Sequence, residues 1–554
     1  MPHPSIEEKL HDAYREAEER EAHERATKLG LPYLNLATSP VEIEALALVP
    51  EAEAMQAKIA VFEKKRNAIT VAALNPTIPE SKKALDALAE KFTAKIFVVS
   101  ESSLKHVWSF YQYVEKERTE ITGSVTPGEK RLEELEKTLT DIKAAEGQIL
   151  SLAATPGATA QILEVVLASA FAFRASDIHF ESTAKMARLR FRIDGVLNDV
   201  VSALDKAVYH SVLNRIKLLS GMKLNVSDEA QDGRFSIKYK NKSVEMRVSV
   251  MPSEYGESVV MRVLDPGAIG LGLKELGIRE DDLAIVLAEV ARPNGMILNT
   301  GPTGSGKTTT LYAFLKHIYT PEIKIITVED PIEYHLEGIE QTQVDSAAGY
   351  TFASGLRSIL RHDPDAILVG EIRDVETAEI AINASLTGHI VFSTLHTNDA
   401  IGAVPRLVDL GAKPSLIGPA LTLVIAQRLS RRLCADCKVK DEPSAEIRKK
   451  LETLLANLPA RVKKDAYANY QLYKPVGCAK CHNSGYRGRV GIYEFLKVDD
   501  ELRESIIKDI SPFSIKKLAL SKGMTTMQQD GILKVLMGQT TLEEVQEVTG
   551  PIEW

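Results

Sequence analysis

The spacing of apolar residues changes several times along the 554-residue chain, and each change marks a candidate element. Up to about residue 25 the chain repeats Glu, Arg, Lys and Ala, which predicts a solvated helix. Ala68-Ile-Thr-Val-Ala-Ala-Leu, stopped by Asn75-Pro76, reads as a strand. Ser81 to Phe92 has helical spacing, and Lys95-Ile-Phe-Val-Val-Ser reads as a second strand. These patterns predict a small α/β domain over residues 1–115. Residues 116–150 are charged and contain Gly123, Pro127 and Gly128, the pattern of a linker.

Residues 151–268 predict a second domain. A helix begins near Thr159, Ser176-Asp-Ile-His-Phe-Glu follows, and Ala187-Arg-Leu-Arg-Phe-Arg-Ile alternates up to the turn Asp194-Gly195. Further strands near 234–239, 244–250 and 258–264 predict a mixed sheet. The connection 266–275, with Gly267, Gly270 and Gly272, reads as a hinge. Over residues 272–554 strands near 295–300, 323–328, 366–369 and 390–394 alternate with helical spacing, the pattern of a parallel α/β sheet. The apolar run Leu416 to Ala426 contains Gly418 and Pro419. It falls short of the roughly 20 residues needed to span a bilayer and reads as buried core.

Composition narrows the function classes. Lys+Arg minus Asp+Glu is 68 − 76 = −8, which argues against coating nucleic acid by bulk charge. Four cysteines are too few for a disulfide-stapled secreted scaffold. The N-terminus has no apolar signal segment, so the expected placement is cytoplasmic, with any membrane contact made through a partner.

Met296-Ile-Leu-Asn-Thr runs into Gly301-Pro-Thr-Gly-Ser-Gly-Lys-Thr-Thr. This fits G-x-x-x-x-G-K-[ST] between a strand and a helix, where backbone N–H groups and the helix N-terminus cradle phosphates. Gly301, Pro302, Thr303, Gly304, Ser305, Gly306, Lys307, Thr308 and Thr309 are the candidate nucleotide-binding residues. Lys307 would reach the β- and γ-phosphates of ATP, and the Thr308 hydroxyl would ligate Mg²⁺. Two acidic clusters follow later strands: Glu329-Asp-Pro-Ile-Glu, and Gly370-Glu-Ile-Arg-Asp. In an open α/β sheet both would face the phosphates. Gly388-His and Thr394-Leu-His-Thr put His389 and His396 at opposite ends of one strand.

This ordered set of boxes resembles the secretion ATPases of type II secretion and type IV pilus machines. The resemblance covers about residues 150–554. It implies a RecA-like P-loop NTPase core, preceded by a mixed α/β (PAS-like) domain and a small N-terminal α/β domain. It also implies that Glu333 polarises the attacking water and that Glu371, the Walker B carboxylate, acts on Mg²⁺. His396 would sense the γ-phosphate, and Arg247 and Arg262 would clamp the phosphates when the second domain folds over the site. Arginines such as Arg357 and Arg361 would lie near an intersubunit surface. A homohexameric ring is implied, working on an inner-membrane platform protein and an adaptor. In some relatives the first domain senses a cyclic dinucleotide. Here the Arg-Leu-Gly repeats of such sensors are not evident, and Lys28-Leu-Gly-Leu-Pro is a partial match. A DNA-translocating ring ATPase would share the core, but the acidic charge and the lack of a basic, aromatic groove count against nucleic acid.

Cys434-Ala-Asp-Cys437 and Cys478-Ala-Lys-Cys481 use all four cysteines as two C-x-x-C pairs, a ligand set for structural Zn²⁺. Disulfides and a dithiol site are the alternatives. The 40 intervening residues exceed ordinary ribbon spacing, so a helical insertion must leave and return. The resemblance agrees with zinc, since assembly and secretion members carry a tetracysteine subdomain in this place (about 430–495 here, with a helical region over 496–554), whereas retraction members generally lack it.

Overall fold

In the computed structural model the described residues are 6–36, 41–65, 68–111, 129–240, 242–264 and 271–554. The first part of the expected linker (116–128) and half of the expected hinge (266–270) therefore lie outside them. Two units divide the chain, Met1–Val263 and Leu264–Trp554.

The first unit begins with the helix Ile6–Leu29. This helix is not merely solvated: Glu19 accepts hydrogen bonds from Tyr33 Oη (2.5 Å), Ser100 Oγ (2.7 Å) and Ser103 Oγ (3.2 Å), which anchor it. A three-stranded sheet follows, in the order Ile59–Lys65, Ala68–Ala73, Thr93–Val98. The first pair is antiparallel and the second parallel. The sequence reading missed Ile59–Lys65, whose apolar run Ile-Ala-Val-Phe is cut short by Glu63-Lys-Lys.

Beyond it lies a six-stranded sheet in the order Val196–Leu204, Ala187–Ile193, Ala175–Ser182, Gly256–Leu264, Lys242–Ser253, Gln231–Tyr239. Every pair of defined register is antiparallel, which corrects the mixed sheet expected from the strand pattern. Such a sheet needs only one covered face. Ala187, Leu189 and Phe191 are fully buried, while Arg188, Arg190 and Arg192 point the other way. Residues 129–150, expected as linker, form part of the helices Glu129–Thr138 and Ile142–Ala153. Leu132, Leu135, Ala145 and Ile149 bury into the core of this sheet. The surrounding charges mask a leucine spacing that suits one helix face.

In the second unit seven strands pair in the order Glu340–Gln343, Ile325–Glu329, Ala366–Val369, Ile390–Leu395, Gly295–Thr300, Leu421–Leu433, Tyr486–Lys497. The first six run parallel and the last antiparallel. Central parallel strands are covered on both faces, and every residue of 295–300, 325–329, 366–369 and 390–395 is buried. The run Leu416 to Ala426 is core as expected except for half-buried Leu416 and exposed Pro419, and it is split between the helix Pro414–Ala420 and the strand Leu421–Leu433.

Buried charges tie the ends of this unit together. Arg279 Nη1 lies 2.5 Å from Asp530 Oδ1, and Lys534 Nζ lies 2.6 Å from Asp530 Oδ2. Arg461, from the insertion between the cysteine pairs, reaches Asp281 at 2.6 Å and Asp282 at 2.5 Å. Burial raises the Asp282 carboxyl to about 6 against the opposing pull of Arg279 and Arg461. Removing one member strands the others without water. Asp530→Ala is therefore expected to destabilise this unit by roughly 3–5 kcal/mol, read as a lowered denaturant midpoint. A loss below about 1 kcal/mol would show that the remaining charges find other partners.

Candidate functional site

Near-level register among the parallel strands puts their C-terminal ends on one edge: Asn299 pairs with Thr394, and Val369 with Ser393. The phosphate loop follows Thr300, Gly370-Glu371 follows Val369, and His396 follows Leu395. His389 lies at the far end of its strand, where Nδ1 is 3.0 Å from Ala384 O. It packs at the end of the preceding helix, away from the phosphate loop, and His396 is the histidine beside Glu371.

The loop needs its glycines. Gly304 and Gly306 have φ of 79° and 91°, conformations that L side chains rarely adopt. A Cβ on Gly306 would also stand 2.7 Å from Gln427 Nε2, and one on Gly301 would stand 2.6 Å from Gln427 O. Ser305 Oγ is buried and has no hydrogen-bond partner among the described residues. A buried donor of this kind beside a cradle of N–H groups suits a phosphate oxygen. Thr308 and Thr309 are half-buried in the first turn of the helix Lys307–Ile318. Pro302, Thr303 and Gly304 are exposed on the rim.

Charges converge behind the loop. Lys307 Nζ donates to Gly301 O (2.8 Å) and Pro302 O (3.0 Å), folding back on its own loop. Burial lowers its pKa to about 8, opposed by the Glu371 carboxylate and reinforced by Arg428. Glu371 pairs with Arg373, and its other oxygen stands 3.6 Å from His396 Nε2. Arg373 also reaches Asp330 at 3.9 Å. Burial, together with Lys307 and Arg373, holds the His396 pKa below its ordinary value against the opposing pull of Glu371, which favours the neutral imidazole. Glu333 stands half-buried on the loop after the strand Ile325–Glu329. Glu329 is committed to packing: it accepts from Tyr312 Oη, from Thr327 Oγ1 (2.7 Å) and from Gln341 Nε2 (3.0 Å).

Arg247 and Arg262 lie in the other unit. Val244, Met246, Val248, Val259 and Met261 bury on one face of its six-stranded sheet, leaving both arginines on the opposite face. Arg262 Nε donates to Asp177 Oδ1 at 3.0 Å, and Arg247 Nε is 3.6 Å from Glu245. Arg357 pairs with Glu376, and Arg361 donates to Arg357 O at 3.1 Å.

Three residues that frame the nucleotide site escaped the sequence reading. Arg373 was visible two positions after Glu371. Gln427 and Arg428 end the largely apolar first half of the strand Leu421–Leu433, and that switch to polar residues was the available signal. Gln427 Oε1 accepts from Asn299 Nδ2 and from Thr310 Oγ1, both at 2.9 Å, joining the phosphate-loop strand to the helix after the loop.

The four thiols form a second site. Cys434 and Cys478 sulfurs are 3.9 Å apart, Cys437 and Cys481 3.7 Å, and Cys478 and Cys481 3.7 Å. Tetrahedral zinc with bonds of about 2.3 Å requires sulfur–sulfur edges of about 3.8 Å, so the set fits the ion. Such distances are also far beyond a disulfide bond. Cys478 N (3.1 Å) and Gly485 N (3.3 Å) donate to Cys481 Sγ. Against the opposing effect of burial, these donors bring its pKa down to about 7. The intervening residues leave and return through the paired strands Val439–Asp441 and Leu472–Lys474 and carry the helix Ala445–Asn457.

A family model described as type II/IV secretion system protein matches residues 153–547, more than half of the chain. The chain belongs to this family. A second family model, the MshEN domain, matches residues 29–117. Within this secretion family, type II secretion system protein E of Aeromonas hydrophila is 46% identical over 389 residues, covering 70% of this chain and 75% of that protein. Type IV pilus assembly ATPase PilB of Myxococcus xanthus is 38% identical over 525 residues, covering 94% and 89%. The ATPase DotB of Legionella pneumophila shares the fold at a TM-score of 0.51 and 21% identity, covering 70% of this chain and 95% of that one.

Two measurements test these sites. Displacing metal from the purified protein with a mercurial should release one zinc per chain, and Cys437→Ser should abolish stoichiometric retention; full retention would exclude the thiolate site. With Lys307 near 8, about half of it is neutral at pH 8, and phosphate oxygens favour the ammonium form. Nucleotide binding at pH 8 should therefore take up roughly half a proton, read by calorimetry in buffers of different ionisation enthalpy. Zero uptake or net release would contradict the depressed pKa.

Proposed function

We propose that the protein is the ATP-hydrolysing motor of a type IV pilus assembly machine and acts as a homohexameric ring. The observation that carries this reading is the meeting of Lys307, Glu371, Arg373 and His396 at the end of one parallel sheet, beside a glycine loop with an orphaned Ser305 hydroxyl. On binding ATP, Lys307 would leave its loop carbonyls for the β- and γ-phosphates, and the loop N–H groups would hold the phosphate oxygens. Thr308 and Glu371 would hold Mg²⁺, which offsets phosphate charge. Glu333 would orient the attacking water, and neutral His396 would report the γ-phosphate. Arg247 and Arg262 would present guanidinium groups to the phosphates, a bidentate match that never deprotonates.

The pilus branch is favoured by the relative from Myxococcus xanthus, which matches over 94% of this chain. Type II secretion is the second reading, favoured by the higher identity, 46%, of the protein from Aeromonas hydrophila. Among the described residues no helix is long and apolar enough to cross a membrane. We place the motor at the cytoplasmic face of the inner membrane, attached through a platform protein and an adaptor. Nucleic acid is not part of this function.

Steady-state ATPase assays test the site. Lys307→Ala and Glu371→Ala should each lower kcat by about 10²-fold or more, and Glu333→Gln should remove turnover while leaving nucleotide affinity near that of the parent. Rates equal to the parent would refute the motor. In the native host, Lys307→Ala should abolish surface fibres; loss of protein secretion with fibres retained would favour the type II reading.

A further inference from the structure

The loop that carries His396 is fastened at three points. Thr397 N donates to Thr300 Oγ1 at 2.8 Å, fixing the loop to the end of the phosphate-loop strand. Arg428 Nη2 donates to Asn398 O at 2.8 Å, while its Nη1 donates to Gln427 O at 3.0 Å. Ala400 N donates to Glu494 Oε1 at 3.0 Å. The first attachment comes from a loop neighbour, but the other two come from the strands Leu421–Leu433 and Tyr486–Lys497 at the far edge of the sheet.

Glu494 is almost fully buried, and both of its oxygens serve main-chain N–H groups. The second oxygen, Oε2, accepts from Met527 N at 3.2 Å. Met527 opens the helix Met527–Leu536, where N–H groups lack intrahelical partners and the helix dipole favours a negative charge. One carboxylate thus bridges the His396 loop to the N-terminus of a C-terminal helix. Burial and nearby Asp399 push the Glu494 carboxyl above its ordinary range, against the opposing pull of the Ala400 and Met527 N–H groups. No step proposed for ATP hydrolysis uses this carboxylate. A packing role alone would be filled by an apolar side chain without desolvating a carboxyl group.

We infer that Glu494 and Arg428 are positioning residues for His396, and that Glu494 links the movement of the histidine loop to the C-terminal helices. The inference rests on the reading of His396 as the group that reports the γ-phosphate. Neither residue touches the nucleotide in this scheme. Glu494 fixes the loop at Ala400, Arg428 fixes it at Asn398, and the imidazole is held between these ties and the Glu371 carboxylate. If His396 shifts when the γ-phosphate arrives or leaves, the shift is passed through Glu494 to Met527.

Glu494→Gln tests this with little change of shape. An amide keeps one acceptor oxygen but turns its NH₂ toward the other N–H group, so one of the two ties is lost. In the full-length protein, kcat for ATP is expected to fall about tenfold to a hundredfold, as for a modest displacement of a reacting group. Binding of a fluorescent ATP analogue should stay within about twofold of the parent, because ground-state contacts are untouched. The double variant Glu494→Gln/His396→Ala should be no slower than His396→Ala alone, since both act through one group. Arg428→Lys, which keeps the charge but loses the fork, should give the same split between kcat and affinity. It carries the test if Glu494→Gln does not fold. A slow His396→Ala beside a normal Glu494→Gln would overturn this inference and leave the sensor reading intact. Additive losses in the double variant, or a parallel fall in affinity and kcat, would also overturn it. A normal rate in His396→Ala would overturn both.

Discussion

Parallel pairing is the constraint on which the nucleotide site depends. When strands run the same way, every C-terminal end falls on one edge, and each loop leaving that edge approaches the same crevice. Strands 295–300, 366–369 and 390–395 are consecutive in space though not in sequence, so Lys307, Glu371 and His396 become neighbours without any long-range device. The price of the arrangement is a sheet with no wet face, and the core residues of those strands are accordingly mostly apolar, with Asn299, Thr300, Ser393 and Thr394 the buried polar exceptions. Polar residues survive inside it where they are paired. Gln427, bonded to Asn299 and Thr310, is the clearest case, and it holds the strand and helix on either side of the phosphate loop.

Electrostatics then sets the resting condition of that edge. Lys307 is turned onto carbonyls of its own loop and Glu371 is held by Arg373, so the two principal charges are each compensated before a nucleotide arrives. A partly desolvated lysine with a depressed pKa is a poor resting cation but gains strongly from phosphate oxygens. Arg373 and Mg²⁺ would compete for the same carboxylate. Opening that ion pair would therefore accompany any metal binding at Glu371, and the exposed position of Arg373 would make the exchange cost little.

How much of this was legible in the sequence follows from how local each signal is. The phosphate loop is a contiguous string whose glycines encode positive φ, so it could be read outright. The C-x-x-C pairs were readable because chemistry, and not distance, limits what four such thiols can do. Glu494 and Gln427 were opaque, since each acts on a partner far along the chain, and nothing in the local pattern of their strands points to that partner. The helices of 129–150 were hidden for a different reason. Their surface charges dominate composition, while only the spacing of Leu132, Leu135 and Leu139 reveals a buried face. In the six-stranded sheet the alternation was clear, but alternation alone does not give strand direction. Consecutive strands joined by short turns did, and they were the better guide.

The zinc-ligand set and the nucleotide site are joined by the same two strands. Cys434 directly follows the strand Leu421–Leu433, and Cys481 lies just ahead of Tyr486–Lys497. The two strands pair antiparallel from Leu423 with Lys497 to Leu433 with Tyr486, and Cys434 N continues the contact by donating to Gly485 O at 3.0 Å. A zinc ion held by all four thiolates would clamp the distal end of this pair. Gln427 and Arg428 sit on one of these strands and Glu494 on the other, opposite Ala426. Clamping one end would suppress slippage of register, and a slip of one residue between the two strands would turn the side chains of the displaced strand to the wrong face. A metal held there would act on ATP chemistry without approaching it, by fixing the register of the strands that hold the phosphate loop and the His396 loop in place.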